Sequence, residues 1–302
     1  MSQTKAKKTW RQVDGVLLLD KPVGLTSNDA LQRARRLFSA AKGGHTGTLD
    51  PLASGLLPLC FGEATKFSAD LLDADKTYEA ILRLGITTDS GDAEGQVVAT
   101  RPVVVSQVDI EAALQRFRGD IMQVPPMHSA LKRDGKPLYE LARQGVEVER
   151  EARPVSIRSL DLQSFTGDNL SLRVRCSKGT YIRVLATDIG EALGCGAYLT
   201  ALRRTAVADL DLTGAFSLAA VEALPEEERD NCLQPLDTLL LRLPRVDLDA
   251  PAAERFSHGN PVVAPAGLLG RARVYADNRL IGLGDIGKDQ QLWPKRLVQL
   301  AS

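Results

Sequence analysis

Hydrophobic and polar positions follow two periods along the chain. Residues 16–19 form an unbroken apolar run closed by Pro22, Val23 and Gly24, which predicts a short buried strand and a turn. From Ser27 to about Ala40, the apolar residues Ala30, Leu31, Ala34, Leu37 and Phe38 recur at helical spacing, with Ser27 as the cap. Arg33, Arg35 and Arg36 project from the other faces of that helix. Residues 78–84 place Tyr, Ala, Leu and Leu at alternate positions, the pattern of a half-buried strand. Ser106 with Asp109 resembles a capping box opening a helix through Phe117. Residues 170–176 alternate again and lead through Lys178 and Gly179 into a helix carrying Ile182, Leu185, Ala186, Ile189 and Leu193. Strands and helices mix without βαβ regularity, so the fold class is α+β around an antiparallel sheet.

Length and punctuation divide the chain. At 302 residues it suits one large domain, residues 1–245, and a small one, residues 246–302. Residues 124–152 are polar and punctuated by Pro125, Pro126, Gly135, Pro137 and Gly145, as expected of a lobe inserted into the larger domain. Pro244 marks the boundary. The short apolar runs beyond it, separated by Gly and Asn turns, predict an all-β unit.

Composition narrows the class. The chain is 44% hydrophobic and 25% charged, ordinary for a soluble globular enzyme. It has no run of 18 apolar residues and no apolar core behind its basic N-terminus, so we expect neither a membrane span nor a secretion signal, and a cytoplasmic location. Cys60, Cys176, Cys195 and Cys232 lack CxxC spacing and read as buried thiols. Net charge is zero, yet residues 1–48 hold nine Lys or Arg against three Asp. Such asymmetry fits a face for phosphate, beginning in a basic tail over residues 1–13. It fits a solvated tail equally well.

The candidate chemistry centres on Asp50. It lies in a loop with Gly43, Gly44, Gly47 and Gly55, ahead of Pro51. Such a loop presents an acid in a fixed pose, or the Asp caps a turn; the loop by itself leaves both open. The run from Gly44 to Gly55 (GHTGTLDPLASG) resembles the catalytic motif of the bacterial tRNA pseudouridine-55 synthases, the TruB family. In family order lie GVLLLDKPVGLTS from Gly15, GEATK from Gly62, KTYEA from Lys76 and TDSGD from Thr88. PPMHSALK from Pro125, GTYIR from Gly179 and LTALRRT from Leu199 follow.

The resemblance implies a pseudouridine synthase fold, with a mixed, largely antiparallel sheet around a central cleft and a C-terminal PUA-like RNA-binding domain. It implies isomerisation of uridine 55 in the T-arm of tRNA, with the 124–152 insertion clamping the RNA, by a monomer. Asp50 would be the nucleophile, attacking either C6 of the base or C1′ of the sugar. Arg183 would keep it charged, and Tyr78 would pack on the uracil and relay the C5 proton. Tyr181 and Leu202 would line the base pocket, and His45 would stack where the uridine is flipped out. Lys66 and Asp92 are given only support. His128 stands where many relatives would carry a larger aromatic. Without the motifs, Arg183 reads as a surface residue, Tyr78 and Leu202 as core, and His45 as a structural hydrogen-bonder. The isomerisation needs no redox change or external group, and no P-loop, GxGxxG or His-Cys cluster occurs, so we expect no cofactor and no metal. Two rival readings are an RNA-base glycosidase and a non-enzymatic RNA-binding module.

Overall fold

The computed structural model describes residues 9–129, 131–133 and 135–299. In chain order the first elements are β1 (Gly15–Lys21), α1 (Ser27–Leu37), β2 (Gly43–His45), β3 (Ala53–Phe61), α2 (Ala69–Leu72) and β4 (Lys76–Leu84). Next come β5 (Ile86–Thr88), β6 (Val97–Thr100), α3 (Gln107–Gln115), β7 (Gly119–Gln123), β8 (Lys132–Arg133), β9 (Lys136–Pro137) and α4 (Leu138–Arg143). The larger unit is completed by β10 (Arg153–Thr166), β11 (Asn169–Cys176), α5 (Ile182–Ala192), β12 (Ala197–Val207), β13 (Leu210–Asp211) and α6 (Leu218–Ala223). The C-terminal unit holds β14 (Arg245–Asp247), α7 (Ala250–Ser257), β15 (Val262–Val263), β16 (Gly270–Ala276), β17 (Arg279–Ile286) and β18 (Gln291–Leu297).

The large sheet runs β1-β3-β12-β4-β11-β10-β7, with β2 added to β3 and β13 to β12. Among the described residues of this sheet only β3 and β12 pair as parallel strands, so the sheet is mixed and mostly antiparallel. β3 and β12 escape an alternation search for different reasons. β1 and β3 are sandwiched. One face packs Leu17, Leu19, Leu57 and Leu59 against α1 and α6, and the other packs Val16, Leu18, Leu56 and Cys60 beneath Phe67 and Tyr275. A strand covered on both faces reads as continuous apolar sequence, whatever its period. β12 carries the polar pair Arg203 and Arg204, so its sequence does not look like an interior strand.

The helices lie where periodicity puts them. α3 and α5 cover one face of β4, β10, β11 and β12 through Ile110, Leu114, Leu185 and Ile189. Each fully buried side chain of this size contributes about 1.5–3 kcal/mol. Ser106 caps α3 in a capping box with Asp109, as its sequence predicts. In α1 the cap is Thr26, one residue ahead of the Ser27 expected; Thr26 and Asp29 form the box. Ser27 is instead buried and its hydroxyl is engaged with Leu49. The helix also stops at Leu37 rather than near Ala40, because Ser39 turns to a left-handed φ of 51°.

Residues 124–152 leave the sheet between β7 and β10 and carry the β8–β9 hairpin and α4. Residues 11–13 do not belong to a free tail. Arg11 bridges to Ala40 and ion-pairs with Asp230 at 2.5 Å, and Val13 is buried. Lys5, Lys7 and Lys8 lie outside the described residues.

The C-terminal unit is a five-stranded sheet, β14-β16-β17-β18-β15, with α7 packed on it through Phe256. It shares a core with β1 and β3 through Tyr275, Leu280 and Leu283. Lys66 pairs with Glu63 at 2.6 Å and donates to the Leu297 carbonyl at 2.9 Å, so Lys66 serves this joint rather than the Asp50 cleft. Among the described residues no helix is long and apolar enough to cross a membrane.

Candidate active site

Asp50 sits in the link between β2 and β3, and that link is pinned from several sides. The Leu49 amide donates to the Ser27 hydroxyl at 2.7 Å, and the Gly24 amide to the Pro51 carbonyl at 2.8 Å. On the far side Arg204 donates to the carbonyls of Gly47 at 3.2 Å, Thr48 at 3.5 Å and Leu56 at 2.7 Å. Gly55 allows β3 to close on β12. Its φ is +101°, and a Cβ there would sit 2.2 Å from the Arg204 carbonyl. The backbone around Asp50 is therefore fixed, while its side chain stays 43% exposed at the mouth of a cavity.

Arg183 enters from the first turn of α5, with its side chain only 7% exposed. One terminal nitrogen lies 3.1 Å from an Asp50 oxygen, the other 3.2 Å from an Asp92 oxygen. It also donates to the carbonyl of His128 at 2.6 Å, which ties the root of the 124–152 insertion to the site. Asp92 is buried, held by the Ser90 hydroxyl at 2.6 Å and the Glu94 amide at 3.0 Å. Sequence reasoning gave Asp92 a supporting place only; the TDSGD run was the signal, and its tight turn brings the second carboxylate to Arg183. An exposed and a buried carboxylate thus share one guanidinium, which leaves the trio one negative charge in excess.

Further cations stand around the cavity without pairing to these carboxylates. Arg204 is 1% exposed and stands across the sheet from Tyr78. Lys21 is fully buried and donates to the carbonyls of Pro22 and Leu25, at 2.8 and 2.7 Å. Its burial pushes the ammonium down to about 8, against an attraction from Asp50 that acts to raise it. Lys76, beside the cavity, is likewise buried among carbonyls and lowered to about 8.

A cavity of about 450 Å³, within the range of small-molecule sites, brings together Asp50, Tyr78, His128, Tyr181, Arg183 and Leu202. Burial raises the Tyr78 phenol above its usual value, and the nearby Arg204 opposes that shift. Tyr181 is raised by burial as well, with its backbone amide fixed by Gln123 at 3.0 Å. Leu202 lies opposite Ala80 on β4 and Ala53 on β3, packed against both flanking cores. His45 stands apart from the others. It is on β2, outside the lining of the cavity, and half-buried; burial first and Arg204 second depress its basicity. Among the described residues no group of three or more His, Cys, Asp or Glu is placed to hold a metal ion.

The arrangement presents an accessible carboxylate, kept close to a guanidinium, beside a half-buried tyrosine in an apolar-floored pocket. Residues 35–182 match the family model described as TruB family pseudouridylate synthase (N terminal domain), and residues 183–241 the tRNA pseudouridylate synthase B C-terminal domain. The chain belongs to the TruB family. Residues 244–298 match a further model, Pseudouridine synthase II TruB, C-terminal. This TruB-family enzyme is a pseudouridine synthase, hence an isomerase.

The tRNA pseudouridine synthase B of Dechloromonas aromatica (strain RCB) is 69% identical over 295 residues, covering 98% of this chain and 99% of that one. The tRNA pseudouridine synthase B of Azoarcus sp. (strain BH72) is 59% identical over 288 residues, with 95% and 96% covered. Among solved structures, a Cbf5-Nop10-Gar1 complex aligns with a TM-score of 0.70 at 26% identity, over 94% of this chain and 85% of that chain. An H/ACA RNP bound to a substrate RNA containing 2′-deoxyuridine aligns at 0.72 and 22% identity, over 99% and 93%, which supports the fold.

Proposed function

We propose that this TruB-family isomerase converts uridine 55 in the T-arm of tRNA to pseudouridine, with Asp50 as nucleophile and no cofactor. Relatives named tRNA pseudouridine synthase B at 69% and 59% identity support tRNA as the substrate. The observation that carries the mechanism is the 3.1 Å pairing of Asp50 with the buried Arg183, at the mouth of a cavity that also holds Tyr78.

Reaching the uridine requires flipping it out of the RNA, at a cost of a few kcal/mol. His45, on the approach to Asp50, fills the vacated place or stacks on a displaced base. The flipped uracil packs on Tyr78, between Tyr181 and Leu202. The Asp50 carboxylate, paired with Arg183, attacks and the N1–C1′ bond breaks. The base turns so that C5 faces C1′, C5 bonds C1′, and the bond to Asp50 breaks to restore the free carboxylate. A proton then moves from C5 to N1, with the Tyr78 hydroxyl as relay. Bonds are exchanged within one nucleotide, so neither electrons nor groups need be supplied. The 124–152 insertion closes over the T-arm, and the C-terminal unit, PUA-like, binds the RNA beyond it.

The test is to incubate the protein with an unmodified tRNA transcript and map pseudouridine by carbodiimide primer extension. A single stop at position 55 is expected, without release of uracil. Asp50→Asn should abolish conversion while tRNA affinity stays within about threefold of the parent, as for a residue used only in the transition state. Conversion at the parental rate in that variant would remove the nucleophile, and free uracil would point to glycosidase chemistry.

A further inference from the structure

Two buried arginines face this cavity, and they are satisfied differently. Arg183 has two carboxylates. Arg204 has none within ion-pair distance among the described residues, although it is 1% exposed. Its Nε and both terminal nitrogens bond the carbonyls of Leu56, Thr48 and Gly47. Those dipoles satisfy its donors and leave its charge uncompensated, a costly condition for a guanidinium out of water. A clamp on the Asp50 link would need donors only. No carboxylate pairs with it directly, so an anion that forms beside it during the reaction is stabilised.

The register of the sheet says where that anion forms. Arg204 on β12 is paired directly with Tyr78 on β4, so the two side chains share a face. Both line the cavity, and both lie beside the Asp50 link. We propose that Arg204 is a positioning residue for the last proton transfer, holding the Asp50 link and stabilising Tyr78 as a transient phenolate. This rests on the reading of Tyr78 as the proton relay.

The step balances within the nucleotide and one side chain. After C1′ has joined C5, the base carries an N1=C6 double bond and a tetrahedral C5 that still bears its hydrogen. The Tyr78 phenol gives its proton to N1 and becomes phenolate. The phenolate then takes the proton from C5, and the electron pair of the broken C5–H bond forms C5=C6. Tyr78 ends as it began, and no external acid or base is consumed. The intermediate phenolate is the anion that a neighbouring fixed cation favours.

The test compares Arg204→Gln, which removes the charge, with Arg204→Lys, which keeps charge but loses the fork to the carbonyls. Single-turnover rates are measured on tRNA carrying uridine or 5-deuterouridine at position 55, alongside RNA affinity. For Arg204→Gln we expect a rate loss of about 100-fold, affinity within about threefold, and a primary isotope effect above about 2 as C5 deprotonation becomes limiting. Arg204→Lys should recover at least about tenfold of the loss. Equal rates in the two variants, or a slow Arg204→Gln with no isotope effect, overturn the proposal in favour of a structural clamp. If Arg204→Gln does not fold, Arg204→Lys decides: a rate as low as that of Tyr78→Phe, with RNA affinity intact, overturns it, and a loss below about tenfold supports it. Tyr78→Phe separates the two levels. A parental rate there removes the relay itself, whereas a dead Tyr78→Phe beside a fully active Arg204→Gln removes only the role given to Arg204.

Discussion

Arg183 divides its charge between a carboxylate that meets solvent and one that does not. Asp92 is the buried partner, fixed by Ser90 and Glu94, so it sets where the guanidinium can stand when Asp50 moves toward substrate. Asp92→Asn keeps the shape and removes that anchor. Arg183 would keep Asp50 as its counterion, so the variant should lose about 2 kcal/mol of stability, less than for an orphaned buried charge. Its conversion rate should fall about 100-fold, because a displacement near 1 Å is enough to misplace a reacting group. Urea unfolding and single-turnover kinetics check the two effects, and a variant at parental rate would confine Asp92 to structure. At this scale the sequence was informative where a motif carried the residue. Asp50, Tyr78, Tyr181, Arg183 and Leu202 converge on one cavity. Asp92 and Arg204 also sat in recognisable motifs, but their importance comes from burial and from partners more than 90 residues away, which no local pattern encodes.

Among the elements, the contact of β3 with β12 matters most for the site, since it is the parallel seam that brings the Asp50 link against Arg204. Gly55 is where the two backbones come closest. Gly55→Ala would impose a left-handed φ on a residue with a side chain and drive its Cβ into the Arg204 carbonyl. Strain and forced separation together should cost about 3–4 kcal/mol, more than most single substitutions. A melting temperature within about 1 °C of the parent would contradict that reading of the seam. Neither of its strands was legible as a strand beforehand. β3 is apolar at nearly every position because it is covered on both faces, and β12 hides a buried arginine inside a polar-looking stretch. The helices were readable, since α1, α3 and α5 each present one apolar stripe to the sheet. Their starts were readable to within a residue and their ends less well: Thr26 rather than Ser27 caps α1, because Ser27 is taken by Leu49, and the helix stops at Leu37 rather than near Ala40.

The whole molecule is tied together across its two sheets. Tyr275, Leu280 and Leu283 complete the core beneath β1 and β3, and Lys66 and Glu63 grip the strand end at Leu297 and Gln299. Loss of the C-terminal unit would uncover a face of the strand leading to the active site, so unfolding is expected as one transition. Its pH dependence then sums the buried groups of both units. Burial holds Lys21 and Lys76 at about 8, so between there and the usual lysine value near 10.5 the unfolded chain binds protons the folded chain has released. Stability rises with pH in that window. Burial also raises Cys60 to about 12 and Cys176 to about 11. Their unfolded thiols ionise near 8.5–9 while the folded ones stay protonated, so their contribution falls as pH climbs past that point. Tyr275, raised to about 12 by burial and its bond to Asp237, adds to the decline above about 10. The lysines lead first. Urea unfolding under reducing conditions should show a gain of about 1 kcal/mol from pH 8 to 9, a crest near 9–10, and a loss beyond. Lys76→Met removes one of the two rising contributions, so the gain between pH 8 and 9 should flatten. A parent whose stability declines steadily from pH 8 would mean that these ammonium groups reach water in solution.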